Sequence, residues 1–307
     1  MPTRSGSIRL FRAAGVDVYL HWWWFLVAAY EIKGHRGVGN YSSITFSILE
    51  YLGLFLIVLL HEFGHALACR QVGGTANKIV LWPLGGVAYV DPPPRPGATL
   101  WSIAAGPLVN VALLPVLYGL YTVAKVQGWA ETTPDVYELV TALLLIDGGL
   151  LAFNILPIYP LDGGQILRAL LWFVLGRARS LLVATIFGFV GVAGMIGLAV
   201  WQQSLWTGAV AVYMLMNCWG GLQHALALSR QAKLPRRDGY LCPRCLTAPP
   251  VGDYWKCGQC GQGFDTFQTG GVCPNCRTRY DTTRCLDCGG SHAMNEWMVA
   301  AVGQGRR

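Results

Sequence analysis

Leu54-Phe55-Leu56-Ile57-Val58-Leu59-Leu60-His61-Glu62-Phe63-Gly64-His65 decides the reading of this chain. It lies near the end of an apolar run, Thr45 to Arg70, long enough for the roughly 20 helical residues that a bilayer core demands. Within the run, His-Glu-x-x-His places two imidazoles at i and i+4, on one face and one turn apart. That spacing suits two ligands of one zinc ion, and the Glu62 beside them can act on a metal-bound water. On soluble helices the pattern also arises by chance. In hydrocarbon that explanation weakens, because two unpaired imidazoles and a carboxylate are costly there. The run reads as a hydrolytic metal site within a membrane.

Composition agrees. Of 307 residues, 53% are hydrophobic and 13% charged, against about 25% charged in soluble domains. Mean hydropathy is +0.41. Six spans are expected: Val16 to Ile32, Thr45 to Arg70, Ala98 to Ala124, Val136 to Ile158, Ser180 to Val200 and Leu205 to Leu228. Trp22, Trp23 and Trp24 read as an interfacial belt. Asn77 to Val90, with β-branched and aromatic residues around Pro83 and Gly85-Gly86, suggests a short hairpin. Asp91-Pro92-Pro93-Pro94-Arg95-Pro96 ends it. Leu161 to Leu175, interrupted by Asp162-Gly163-Gly164, reads as a half-buried loop and short helix. The expected fold is an all-α polytopic membrane protein with about six transmembrane helices, a small membrane-associated β-hairpin and a small four-cysteine zinc-ribbon domain.

Orientation follows from basic residues. Arg4, Arg9 and Arg12 mark a retained cytoplasmic tail without a signal-peptide cleavage pattern. Six crossings then place Arg70, Lys78, Arg95, Arg168, Arg177, Arg179, Arg230, Lys233, Arg236 and Arg237 on the same side. Only Lys33, Arg36 and Lys125 fall opposite. Both termini are expected in the cytoplasm, and the net charge of +7 reads as orientation and headgroup contact with the lipid bilayer rather than nucleic-acid binding.

A catalytic zinc has three protein ligands and a water. Two carboxylates compete for the third place, Asp147 in Ile146-Asp147-Gly148-Gly149 and Asp162. The second span enters from outside, so His61 and His65 lie toward its cytoplasmic end. Asp162 closely follows the cytoplasmic end of the fourth span, and depth matching favours it. Asp147 reads as a buried polar residue bonded to backbone or a neighbouring segment, with a functional role left open by its place in a span.

Asn154-Ile155-Leu156-Pro157-Ile158-Tyr159-Pro160-Leu161-Asp162-Gly163 resembles the Asn-x-x-Pro-x-x-x-Leu-Asp-Gly signature of the site-2 protease family of intramembrane zinc metalloproteases. His61-Glu62-x-x-His65 resembles that family's zinc motif, in the expected order. Gly106-Pro107-Leu108-Val109-Asn110, the Leu84-Gly85-Gly86 hairpin and His21 before the Trp run are also similar to family features. The likeness covers roughly residues 1–230. It implies that His61, His65 and Asp162 ligate zinc, that Glu62 is general base and then proton donor to the leaving amine, and that Asn154 helps hold or polarise the scissile carbonyl. An Asn at that position otherwise reads as a helix–helix hydrogen bond, worth only about 1 kcal/mol in a membrane. The implied substrate is a membrane-anchored protein, cut within or near its transmembrane segment. Because a helix hides its peptide bonds, that segment must unwind first. The hairpin, Ile79 to Val90, is a candidate edge for pairing with it, with a plain membrane-surface loop as the other reading.

Ten cysteines fall into two classes. Cys69 and Cys218 stand alone in apolar segments and read as packing residues. The other eight form four Cys-x-x-Cys knuckles in a reducing compartment, where zinc is favoured over disulfides. Short separations favour adjacent pairing: Cys242, Cys245, Cys257 and Cys260 on one structural zinc, Cys273, Cys276, Cys285 and Cys288 on another, as tandem ribbons. A cross-braced pairing is the alternative. A module this small needs metal to fold. Boundaries are read as 1–230 for the membrane domain, 231–239 for a linker, 240–297 for the ribbons and 298–307 for a tail. Arg244, Lys256, Arg277, Arg279 and Arg284 are diluted by Asp253, Asp265, Asp281 and Asp287, so a protein-docking or substrate-gating role is favoured over nucleic acid.

The expected activity is zinc metalloendopeptidase chemistry, with one catalytic zinc and two structural ones. The competing class is a non-proteolytic membrane scaffold that recruits partners through the ribbons; an intact Glu62 argues against it. A metal transporter would line a pore with several acidic groups, whereas here the strongest cluster gathers at one depth.

Overall fold

The computed structural model describes residues 6–34, 37–82 and 85–297. Arg4, Arg36, Pro83, Leu84, the Lys33 side chain and the tail 298–307, all read above, lie outside the described residues. The chain divides into two units, residues 1–226 and 227–307.

The first unit opens with strands, not a span. β1 (Ser7–Ala13) and β2 (Val16–His21) pair antiparallel. Val16, Val18 and Leu20 are buried and alternate with the half-buried Asp17 and Tyr19, the period of a strand with one face on a core. The expected span over Val16 to Ile32 is thereby corrected. Its first part is β2, and α1 (Trp23–Gly34) has 12 residues, about 18 Å of helix against a core of about 30 Å. The alternating valines run directly into the Trp cluster, and together they imitate one apolar run. Trp24 is buried, while Trp22 and Trp23 are exposed.

α2 (Ile44–Gln71) starts at Ser43, whose hydroxyl accepts from the Thr45 amide at 3.3 Å, and ends before Gly73 at φ 82°. β3 (Thr75–Trp82) and β4 (Gly85–Asp91) follow as the expected hairpin. That hairpin is half of a larger element. β2 lies parallel to β3, giving the order β1-β2-β3-β4, so an all-α description is also corrected. Val16, Val18, Leu20, Ile79 and Leu81 form one core with Val58, Leu59, Ala66 and Cys69 of α2. The Arg70 guanidinium, at the end of α2, donates to the Ala14 carbonyl between β1 and β2.

Pro96 opens α3 (Pro96–Val126), and a single turn, α4 (Trp129–Thr132), leads to α5 (Pro134–Asn154). α6 (Asp162–Gln202) is broken at Gly176 (φ 76°, ψ 170°), and α7 (Leu205–Ala232) closes the unit. α3 packs against α2, α5 and α6. Among the described residues four helices, α2, α3, α5 and α6, are long and apolar enough to cross a bilayer. With Leu52, Leu56, Val116, Leu145 and Val190 exposed on them, this is an integral membrane protein. The expected six spans are not all found. α7 has the length, 28 residues, but Asn217, Gln223 and His224 dilute it. Leu161 to Leu175, expected as a loop and short helix, contains the start of α6.

The second unit holds two small hairpins, β5 (Trp255–Lys256) with β6 (Gly263–Phe264), and β7 (Thr282–Arg284) with β8 (Ser291–Ala293), then a 3-10 turn at Met294–Trp297. Trp255, Phe264, Phe267 and Trp297 pack among its buried cysteines. Residues within the expected linker fold onto this unit. Arg237 and Val251 amides donate to the Pro249 and Pro235 carbonyls, both at 2.9 Å. Arg236 forks onto Asp287 at 2.7 and 3.2 Å, and Arg237 reaches the buried Asp265 at 2.6 Å.

Candidate active site and metal centres

α2 carries His61, Glu62 and His65, each 6% exposed. α6 begins at Asp162 and brings its carboxylate onto them. Asp162 Oδ2 lies 3.0 Å from His61 Nε2 and 3.3 Å from His65 Nε2, and the two Nε2 atoms are 3.1 Å apart. Ligand bonds of about 2.0–2.1 Å in a tetrahedron imply ligand–ligand edges of about 3.3 Å. The three atoms form one face of such a tetrahedron.

The other ring nitrogens explain why a cation belongs there. His65 Nδ1 donates to the Ser102 carbonyl at 3.0 Å, and His61 Nδ1 faces the Asn110 Oδ1 at 2.6 Å. Both partners accept, so each neutral imidazole carries its proton on Nδ1 and turns a bare Nε2 lone pair inward. Two lone pairs and a carboxylate oxygen at these distances repel one another without a positive ion among them. The donor set of two imidazoles and one carboxylate matches that of hydrolytic zinc sites.

α3 can come this close because of Gly106. A Cβ there would collide with both imidazoles, and one at Gly64 would meet the Ala105 carbonyl at 2.6 Å. Glu62 accepts from the Ala88 amide of β4 at 2.7 Å. A Cβ on Gly86 would overlap the Glu62 carboxyl, so β4 runs directly over that side chain. A cavity of about 460 Å³ opens beside these groups; Glu62, Asp162, Asn154, Gly86, Tyr213 and Asn217 are among the residues lining it. Asn154, at the end of α5, thus shares a cavity with the triad. Asp147 does not join the triad. It is fully buried on α5 and accepts from Asn110 Nδ2 at 2.6 Å.

The loop between Asn154 and Asp162 is seated on glycines. Cβ atoms at Gly163 and Gly164 would strike its backbone, and one at Gly188 would come within 2.6 Å of the Tyr159 carbonyl. Cys218 donates its S–H to that carbonyl at 3.0 Å.

Sequence reasoning did not single out Ser102 or the Ala88 amide, read Gly86 only as part of a hairpin, and quoted Asn110 without a role. Ser102, Gly106 and Asn110 recur at i, i+4 and i+8, which puts them on one face of α3. That stripe of small and polar residues in an apolar helix was the available signal.

The ribbon cysteines are regrouped. Cys242, Cys245, Cys285 and Cys288 gather at one point, and Cys257, Cys260, Cys273 and Cys276 at another. The sulfurs stand 3.6 Å (Cys242–Cys288), 3.7 Å (Cys245–Cys285), 3.5 Å (Cys257–Cys276) and 3.7 Å (Cys260–Cys273) apart. Tetrahedral zinc with bonds of about 2.3 Å requires about 3.8 Å. The pairing is nested, first knuckle with fourth and second with third, which overturns the adjacent grouping. Separation was a weak guide, since each doubling of a loop costs only about 0.6 kcal/mol. The Tyr280 hydroxyl, 3.1 Å from Cys257 Sγ, is the main reason that this thiol is brought down to about 6, toward the thiolate that binds metal.

Comparison with known proteins bears on the first unit. Peptidase family M50 matches residues 50–135 and 116–198. Zinc metalloprotease MJ0392 of Methanocaldococcus jannaschii is 33% identical over 184 residues, 59% of this chain and 50% of that protein. Putative zinc metalloprotease Rip3 of Mycobacterium tuberculosis is 32% identical over 176 residues, 54% of this chain and 44% of that one. This chain therefore spans about half the length of these curated relatives. Among solved structures, a site-2 protease from Methanocaldococcus jannaschii aligns with TM-score 0.50 and 29% identity, covering 70% of this chain and 95% of the other.

Proposed function

We propose that this chain, whose membrane unit belongs to peptidase family M50 and is similar to site-2 proteases, is a zinc metalloendopeptidase. It hydrolyses peptide bonds within or near the transmembrane segments of membrane-anchored proteins. The observation that carries this reading is the triangle of His61 Nε2, His65 Nε2 and Asp162 Oδ2, with edges of 3.0–3.3 Å, beside a carboxylate and a cavity in a bundle of membrane helices. Zinc held by those atoms supplies Lewis acidity, polarising a carbonyl and making water a nucleophile near neutral pH.

The chain's own residues do the rest. Glu62 takes the proton of the attacking water and returns it to the leaving amine. Asn154, in the same cavity, donates a hydrogen bond to the oxyanion that develops on the scissile carbonyl. β4 is an edge strand that flanks this cavity, and an unwound substrate segment can add to it. The ribbon unit holds two closed four-thiolate zincs, which are structural, and offers a surface for a protein partner. The sheet ties Arg9, Arg12, Lys78 and Arg70 to one end of α2; with the positive-inside bias this favours a cytoplasmic N-terminus, and a cytoplasmic C-terminus goes with it if α7 also crosses the bilayer.

Glu62→Gln tests the reading. The variant should keep its zinc and lose cleavage of a membrane-anchored reporter. Undiminished cleavage removes the mechanism, and absence of cleavage in the native protein with any anchored reporter returns the scaffold reading.

A further inference from the structure

Behind the triad lies a second layer, on α3 and α5, that the functional reading leaves without a role. His61 Nδ1 faces Asn110 Oδ1 at 2.6 Å, and Asn110 Nδ2 donates to Asp147 Oδ1 at 2.6 Å. Asn110 and Asp147 are wholly buried.

The direction of this chain of bonds matters. An amide can turn over and offer either its oxygen or its NH2 group. Asp147 Oδ1 is an acceptor, so it selects the orientation with the NH2 toward α5 and the oxygen toward His61. An oxygen there requires a proton on Nδ1 and leaves Nε2 bare, facing Asp162. Turned over, the NH2 would donate to Nδ1, and the proton would sit on Nε2, where a metal has to bind. His65 needs no such device, because its Nδ1 partner is the Ser102 backbone carbonyl, which has no second orientation.

Asp147 is also expensive to keep. Its Oδ2 has no hydrogen-bond partner among the described residues, in a helix apolar enough to span a membrane. Plain packing does not require a carboxyl there.

We propose that Asp147 and Asn110 are positioning residues that fix the His61 tautomer for metal binding, with Asp147 acting through Asn110 on a ring it does not touch. This rests on the zinc reading of His61, His65 and Asp162.

The test counts zinc in the full-length protein after dialysis against graded chelator, with His65→Ala marking the zinc held by the cysteines alone. Asp147→Leu and Asn110→Leu should each release the His65-dependent zinc at roughly 10–100-fold weaker chelation than the native chain. The double variant should be no worse than either. Asp147→Asn keeps an oxygen that accepts from Asn110, and should stay within about threefold of native. Where leucine prevents accumulation in the membrane, Asp147→Ala frees the amide without added bulk and should behave as leucine does. Native retention in the Leu or Ala variants, or loss in Asp147→Asn equal to theirs, overturns the proposal. Native protein with no more zinc than His65→Ala overturns the zinc reading itself, a result separable from the others.

Discussion

The membrane triad and the ribbon clusters gather metal-ligand atoms by opposite means. In the ribbon unit every candidate ligand is a cysteine sulfur on a tight turn, four to a cluster. In the membrane unit the three candidate ligands come from two helices, α2 ending at Gln71 and α6 beginning at Asp162, with α3 between them in the chain, and α3 aims the rings. The fourth direction is left to a cavity of about 460 Å³. The difference teaches what separates a metal that holds a fold from one that does chemistry: an unfilled position, and outer partners that orient the ligands instead of completing the shell.

The contrast can be broken most severely at Asp162. Asp162→Ala should cut proteolysis by roughly 10³-fold or more, and zinc analysis should find one ion missing with the ribbon zinc intact. Loss of ribbon zinc in that variant would mean that the two kinds of site are not independent.

The nested pairing is open to a counting experiment. Cys242→Ser with Cys288→Ser strikes one cluster under nesting and two under adjacent pairing, so mass spectrometry of the native protein should find one zinc lost, not two. Structural zinc contributes on the order of 10–16 kcal/mol in small zinc peptides, so the damaged end of the module should also become protease-sensitive.

Gly86→Ala probes the open site without touching a ligand. The added methyl would displace the Glu62 carboxyl; turnover should fall about 10–100-fold while zinc content stays native. A variant with native turnover would separate β4 from the catalytic group.

The smallest effect belongs to the knuckles. Each ends on a residue of positive φ, Leu246 (56°), Gly261 (75°), Arg277 (60°) and Gly289 (73°), whose amide bonds back to the first cysteine of its knuckle. Gly261→Ala should lower ribbon stability by about 1 kcal/mol in thermal melts, and Leu246→Gly should change it by less.

Much of the site was legible because polar residues are conspicuous in apolar text. His61, Glu62 and His65 stand out in α2 for that reason, and depth matching then favoured Asp162, the carboxylate the fold brings to them. β2 was illegible because alternation over six residues abuts a Trp-rich helix start, and its decisive partner, β3, lies beyond all of α2. The cysteine grouping failed for a related reason: chain separation carries little energy, whereas burying Trp255, Phe267 and Trp297 together brings the ends of the module to one place. Asp147 could be noticed but not understood, since its meaning depends on an amide from another helix.

β2 sits between a neighbour made moments earlier and one made only after α2 is complete. The hairpin β1–β2 by itself has two bare flanks, and β3 covers the one on β2. Only when α2 has been threaded and the chain has turned back does β3 arrive to cover that flank, and β4 then takes its place over Glu62. The four-stranded sheet can thus be completed only after the whole of α2 has been made, which ties the strand over Glu62 to a partner laid down before the helix that carries Glu62.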